Sequence, residues 1–237
     1  MLPGFIVAQE EELDIAKSPV LYYQYDNDFL PASFHRAKRD SLRKLLPDSS
    51  AAIFFSSPER NRSNDVYYEY HQDPNFYYLT GLREPNSMLI IFKEEQFVGE
   101  EKTDEVLWVQ QRSASSELWN GRRIGKKGAE AVLEFDLVKV NEDFKKIELP
   151  NQNLKRIYVQ EPFSLEKQDT SKTDNLSGLY YQALGKADSL LVSSEKPLSL
   201  RMAKLRQNKS EEEILLLRKA IDITCEAQNS LMKQISP

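Results

Sequence analysis

RSNDVYYEYHQDPNFYYLTGLREPNSMLIIF, residues 62–92, changes character along its length. It opens as a polar and aromatic cluster holding Asp65, Glu69, Asp73, a crowd of tyrosines and His71, one of the chain's 2 histidines. It ends in MLIIF, an unbroken apolar run of strand length. Such a run suits a strand covered on both faces, since a half-exposed strand would alternate apolar with polar residues. Similar runs stand at AAIFF (residues 51–55), VLWV (106–109), RIYV (156–159) and LLV (190–192), with DLVKV (136–140) weaker. Helical spacing falls between them, over residues 31–46, 128–135, 141–149 and 177–187. Strands interleaved with helices predict an α/β domain with a mixed central sheet flanked by helices.

The first helix is framed by Pro31, which suits a first helical turn, and by Pro47, which ends the run. Phe34, Ala37, Leu42, Leu45 and Leu46 recur at helical spacing, and Arg36, Lys38, Arg39, Arg43 and Lys44 read as a solvated basic face. LRMAKLRQNK (residues 200–209) is polar and basic, like a linker. SEEEILLLRKAIDITCEAQNSLMKQ follows as a long amphipathic helix: Ser210 and Glu213 form a capping box, and three glutamates sit where the helix dipole favours them. Ile214, Leu217, Ile221, Cys225 and Gln228 make its stripe, on which Cys225 reads as a packing residue. The organisation is therefore an irregular N-terminal extension (residues 1–30), an α/β domain (31–198), and a linker with a C-terminal helix (199–237).

The 237 residues are 40% hydrophobic, enough for a substantial core, and 29% charged, with a mean hydropathy of −0.58 that fits a soluble chain. A net charge of −5 argues against nucleic acid as a partner, because gripping phosphates takes a basic surface. The single cysteine forbids an internal disulfide and a cysteine-based zinc cluster, and it fits a reducing compartment such as the cytoplasm. No apolar run reaches the roughly 18 residues of a membrane span. The start, MLPGFIVAQ, lacks a basic n-region. It reads as an ordinary N-terminus, with a trimmed secretory signal as the alternative.

Chemistry is hard to find in the residues alone. A metallohydrolase needs several His, Asp or Glu side chains converging on its metal. His35 lies inside the first helix beside arginines and is expected at the surface. His71 has Asp65, Glu69 and Asp73 near it in sequence, but they share a face only if the segment is extended, and Pro74 interrupts it. No nucleophile motif and no phosphate-binding loop is present. NGRRIG (residues 120–125) is a turn whose Arg122 or Arg123 could clamp a carboxylate. Trp119 before it suits either a core or an interface, whereas Trp108 belongs in the core. Aromatic and charged residues thus gather at residues 62–81 and 119–125, in a pattern that suits an interface better than a catalytic centre.

Three ordered motifs carry a resemblance. Residues 62–92 resemble the signature of the N-terminal domain of Xaa-Pro aminopeptidases (aminopeptidase P), matching it at Ser63, Asn64, Asp65, Tyr68, Tyr70, Gln72, Phe76, Tyr77, Tyr78, Leu79, Thr80, Gly81, Glu84 and Pro85. ELWNGRRIG (residues 117–125) is similar to the family's W-x-G-R-R-x-G, and residues 200–224 look like the linker and first helix that open its catalytic domain. The departures are His71 where arginine is usual, which exchanges a salt bridge for a weaker or pH-dependent contact, and Asp73, Pro74 and Asn75 in place of a serine-aspartate pair.

The resemblance implies the creatinase/prolidase N-terminal fold, with ribonuclease H-like architecture. It implies a two-domain metallopeptidase that releases the residue preceding a proline, on a C-terminal pita-bread domain carrying two divalent metals, commonly manganese. The chain stops where that domain has barely begun, so it is expected to bind no metal and to be inactive alone. Family N-terminal domains help oligomers form and narrow access to the active site, often that of a neighbouring subunit. Carried over by motif, Asp65 and Trp119, with Arg122 and Arg123 behind them, are the candidates for substrate access or the subunit interface. Ser63, Asn64, Tyr68, His71, Gln72, Tyr77 and Gly81 are family signature. The implied partners are peptides with proline second and further copies of the chain. The alternatives are a catalytically dead peptide- or protein-binding module of histone-chaperone type and a prolidase or creatinase relative.

Overall fold

A computed structural model describes residues 29–162, 165, 170–193 and 196–235. All but the end of the N-terminal extension expected over residues 1–30 lies outside them. In chain order the elements are α1 (Ala32–Leu45), β1 (Ser50–Phe55), β2 (Asn61–Ser63), β3 (Val66–Tyr67), α2 (Pro74–Thr80), β4 (Met88–Val98) and β5 (Glu101–Val109). Then come α3 (Ala114–Asn120), α4 (Gly125–Val132), β6 (Val138–Val140), β7 (Arg156–Val159), α5 (Leu176–Lys186), β8 (Val192–Ser193), α6 (Lys196–Gln207) and α7 (Glu211–Gln234). Six strands form one mixed sheet in the order β6-β5-β4-β1-β7-β8, and β2 and β3 make a separate hairpin. β4 runs antiparallel to β1 and β5, while the β1–β7, β5–β6 and β7–β8 pairs are parallel.

The apolar runs are continuous because both faces of this sheet are covered. Side chains alternate across a strand. Ala52 and Phe54 of β1 and Leu89 and Ile91 of β4 therefore join one core with α1, α2 and α6. Ala51, Ile53, Phe55, Met88, Ile90 and Phe92 join the other, with α5 and Trp108. Trp108 is buried there against the edge of Phe144, as its strand position implied.

Several elements depart from the sequence reading. β4 and β5 run past their apolar runs into polar residues, closing at Gly99, because the hairpin outlasts the layer that covers it. Residues 141–149 hold only a 3-10 turn (Asn141–Lys146), which carries Phe144 into the core. The stretch read as a linker is largely α6, with Leu198 and Met202 buried under it. Pro74 starts a helix rather than breaking a strand: Asp73 accepts hydrogen bonds from the Asn75 and Phe76 amides, and Pro74 occupies the first turn, where no amide hydrogen is needed. Pro31 precedes α1 as its N-cap. Cys225 does not pack: it is exposed, and no residue of α7 is buried. α7 meets the domain at its first turn, where the capping-box Glu213 also accepts a hydrogen bond from Lys38 at 3.1 Å.

Two residues of α1 expected at the surface are buried. His35 is 2% exposed; its Nδ1 lies 3.0 Å from the Tyr78 carbonyl oxygen. Its ring also fills the space a Cβ on Gly81 would occupy, 2.8 Å away. Gly81, at φ +71°, closes α2 in the left-handed region, so two demands exclude a side chain there. Arg39 is 0% exposed and belongs to the core, not to a solvated stripe. Its guanidinium donates to Glu105 Oε1 (2.9 Å) and to the Leu79 (3.0 Å) and Glu134 (2.7 Å) carbonyls, and it stacks on Phe135 at 3.7 Å. Arg43 donates to the second Glu105 oxygen at 2.7 Å. α1 meets α2 and β5 across polar atoms, which helical periodicity cannot reveal.

Removing Arg39 leaves a buried carboxylate and two carbonyls short of a donor. Arg39→Ala is expected to cost about 3–5 kcal/mol in urea unfolding; a loss below about 1 kcal/mol would contradict this account of α1.

Candidate functional site

Residues 56–87 leave the sheet at the end of β1 and return to it at β4, so their backbone groups need partners outside the main ladder. Gln72 supplies many of them. Its Oε1 accepts from the Ser57 amide (2.8 Å) and the Asp73 amide (2.9 Å), and its Nε2 donates to the Leu82 (3.1 Å) and Glu84 (2.9 Å) carbonyls. The Tyr70 hydroxyl lies 3.0 Å from the same Oε1 and 3.2 Å from the Ser57 carbonyl; burial raises its pKa. Beyond it, Gln110 donates to the Pro85 carbonyl and Asn141 to the Asn86 carbonyl, while Asn86 Oδ1 accepts the Leu176 amide at the start of α5. The signature segment is thus pinned to β1, β5 and α5.

The hairpin of β2 and β3 stands out from this frame. Its turn uses Asn64 at φ +50°, a left-handed position that asparagine tolerates, and Asn61 Nδ2 donates to the Asn64 carbonyl. Ser63, Asn64, Asp65, Tyr67, Tyr68 and Glu69 are all exposed, and the Arg60 and Arg62 guanidiniums lie about 6 Å from the Tyr68 ring. Asp65 forms no hydrogen bond or ion pair with the described residues. His71 is likewise exposed, and no hydrogen bond or ion pair joins it to another described residue. Tyr77 is half-buried, its ring against His35.

The second motif forms an arm. Between β5 and α4 the chain runs out through α3, a helix without a buried residue, to an apolar tip where Leu118 is 84% and Trp119 90% exposed. Trp119 is therefore a surface residue, not a core one. Gly121, at φ +74° and ψ 171°, turns the chain back through a region open essentially to glycine alone. Gly125, at φ +60°, lets the Arg112 side chain cross the arm's base, where a Cβ would lie 2.6 Å from Arg112 Cγ. Arg112 holds Glu117 with two bonds, of 2.6 and 2.8 Å, which keep the Glu117 carboxyl below its usual range. Glu117 also accepts the Arg123 amide. The Arg123 guanidinium pairs with Glu59 at 3.6 Å, joining the arm to the loop that leads into the hairpin. Arg122 is exposed, its charge near Glu117.

The two motifs meet at Glu84. Glu84 is 6% exposed, and its Oε1 accepts the Ile124 amide at 2.7 Å. Burial pushes its pKa up to about 7, against the downward pull of the Ile124 amide, Arg123 and Arg112. The sequence marks Glu84 only as a match to a motif; nothing local to LREP shows that its side chain turns inward to receive an amide 40 residues away.

The metal expected of the family has no seat in this chain's described residues: no three His, Cys, Asp or Glu side chains among them are placed to hold an ion. Asp65, Glu69 and His71 point into solvent on or beside the hairpin, and Asp73 is occupied in capping α2. No helix of the described residues is long and apolar enough to cross a membrane.

A family model described as "Aminopeptidase P, N-terminal domain" matches residues 35–158, more than half of the chain. The chain belongs to that family. It is 34% identical over 131 residues to the Xaa-Pro aminopeptidase of Haemophilus influenzae, covering 54% of this chain and 29% of that protein. Among solved structures, proline aminopeptidase P II from Yersinia pestis matches with a TM-score of 0.67 and 26% identity, over 88% of this chain and 46% of its own. A zinc-substituted Escherichia coli aminopeptidase P in complex with product matches with a TM-score of 0.64 and 25% identity, over 84% and 44%. The chain spans less than half the length of these relatives.

Gln72 is the side chain that both motifs lean on. Gln72→Ala leaves two amides and two carbonyls to water or to nothing, and is expected to lower stability by about 2–4 kcal/mol in thermal unfolding. A loss within about 0.5 kcal/mol would show that the segment holds its shape without it.

Proposed function

We propose that this chain is the access-controlling half of an Xaa-Pro aminopeptidase, an enzyme that removes the residue preceding proline from the N-terminus of a peptide. It has no cleavage chemistry of its own. Two divalent metals, manganese by family resemblance, would be carried by a C-terminal half corresponding to the remaining length of the relatives. The domain's part is to shape the approach of the peptide and to bring copies of the protein together, so that the arm of one faces the substrate entrance of another. Its acidic, cysteine-poor composition suits the cytoplasm.

One observation carries this reading. Leu118 and Trp119 are held almost bare at the tip of a polar-tethered arm, and Arg123 and Glu59 join that arm to the hairpin bearing Asp65. A large apolar tip without a partner of its own marks a contact surface. An aromatic wall of this kind favours short, unfolded substrates.

In the two-domain enzyme, Trp119→Ala is expected to lower kcat/KM for Xaa-Pro tripeptides about tenfold or more while bound metal, measured by elemental analysis, stays the same. Unchanged tripeptide kinetics would sink the access role. Loss of metal along with activity would place Trp119 in the structure rather than at the entrance.

A further inference from the structure

The arm, residues 110–125, is fastened differently from the rest of the domain. α3 has no buried residue, and only Ile124 at the base packs on the core. Its other fastenings include polar ones: Gln110 to the Pro85 carbonyl, Arg112 to Glu117, Glu117 to the Arg123 amide, Arg123 to Glu59, and Glu84 to the Ile124 amide. Segments secured by few apolar contacts open locally at a free energy far below that of global unfolding. Whereas Glu59 is partly exposed, Glu84 differs in being a buried side chain from outside the arm. It sits on the frame that Gln72 holds, with its carboxyl shut in under the arm's base.

We propose that Glu84 is a positioning residue, the latch of a movable arm: the base closes over the protonated carboxyl, and ionisation loosens it and frees the Leu118–Trp119 tip. This deepens the access reading and rests on it for the purpose of the arm, but the latch is a property of this chain alone. The groups facing the carboxyl are Arg112, Glu117 and Arg123 from the arm. From the frame, Glu59 pairs with Arg123, and the Tyr70 hydroxyl feels the Arg123 charge. The two arginines favour the anion and Glu117 opposes it. Burial outweighs the arginines, so the closed state holds its proton up to about pH 7. When the base lifts, water reaches the carboxyl and its affinity for the proton falls towards the ordinary carboxylate value of 4.5. The closed state therefore binds the proton more tightly than the open one. By linkage, opening becomes easier as pH rises between those two values and levels off above about 7. The Ile124 amide keeps its acceptor throughout, because Oε1 has a lone pair for it whether or not the carboxyl is ionised.

Hydrogen exchange followed by mass spectrometry on this chain, from pH 5 to pH 8, tests the latch. After correction for intrinsic rates, peptides spanning residues 112–125 are expected to show an opening constant that rises by up to about tenfold per pH unit and flattens near neutrality, while β1 and β4 stay protected. Glu84→Gln, which keeps the Oε1 acceptor and cannot ionise, is expected to abolish the slope and leave the arm protected at pH 8. A flat wild-type profile, the same slope in Glu84→Gln, or a matching loss of protection in β1 and β4 would overturn the proposal. If Glu84→Gln does not fold, the Glu84 carboxyl titration read by carbon-13 NMR decides: a midpoint shared with arm opening supports the latch, and a separate midpoint overturns it. A flat profile leaves the Trp119→Ala kinetics standing, and unchanged Trp119→Ala kinetics leave the latch standing, so the two readings fail separately.

Discussion

The side-chain amide of Gln72 is the constraint on which the functional half of this molecule depends. An amide offers two donors and an acceptor oxygen in one rigid plane, so it can substitute for a stretch of ladder where the chain has left its sheet. Here it spans the gap between the end of β1 and the start of β4, receiving amides from Ser57 and Asp73 and giving hydrogens to the carbonyls of Leu82 and Glu84. Once these are set, Asp73 is in place to cap α2, Gly81 closes that helix against His35, and Glu84 is delivered under the arm. A carboxylate in place of the amide would accept but not donate, and a hydrocarbon would do neither.

Two buried charged residues then divide the domain into a rigid part and a loosely held one. Arg39 is surrounded: Glu105, two carbonyls and the Phe135 ring take up its guanidinium, and Arg43 holds the other side of Glu105. Apart from the buried Arg43 Nε, which has no hydrogen-bond partner among the described residues, this network is partnered, and it fixes α1 against α2 and β5 in one arrangement. Glu84 is buried nearly as well, yet the arginines near it do not compensate for the loss of water, and its affinity for the proton rises. Burial outweighs compensation at both places, holding the Arg39 guanidinium below its usual range and the Glu105 carboxyl above its own; what sets Glu84 apart is that the bond it accepts comes from a backbone amide of the arm.

The sequence revealed the sheet better than anything attached to it. Strands covered on both faces announce themselves as unbroken apolar runs, and RIYV coincides with β7 residue for residue. The helices that use polar atoms to pack were misread. Arg39 and Arg43 look like any basic helix face, because Glu105 is distant in the chain, and His35 looked exposed because its partners, the Tyr78 carbonyl and the bare Cα of Gly81, leave no mark at position 35. Pro74 looked like a breaker because a helix of 7 residues is too short to show its own periodicity. The arm was legible as a motif but not as a shape: Gly121 and Gly125 signalled a turn, while the exposure of Trp119 depends on α3 having nothing to pack on. Membership of the aminopeptidase P N-terminal domain family was legible from the order of the motifs, and the matched residues agree with it.

Frame, latch and arm together describe a domain whose chemistry lies in what it presents. A rigid sheet carries a signature segment, the segment carries Glu84, and Glu84 governs how firmly a bare tryptophan is held out. In the proposed assembly this tryptophan faces a peptide entrance on another copy of the enzyme. That arrangement is tested most directly by placing the photo-crosslinking amino acid p-benzoylphenylalanine at position 119 of the two-domain protein and irradiating it with an Xaa-Pro peptide present. Crosslinks to the peptide, or to the catalytic half of a second copy, are expected and are located by mass spectrometry. Crosslinks confined to residues of its own N-terminal domain would contradict it.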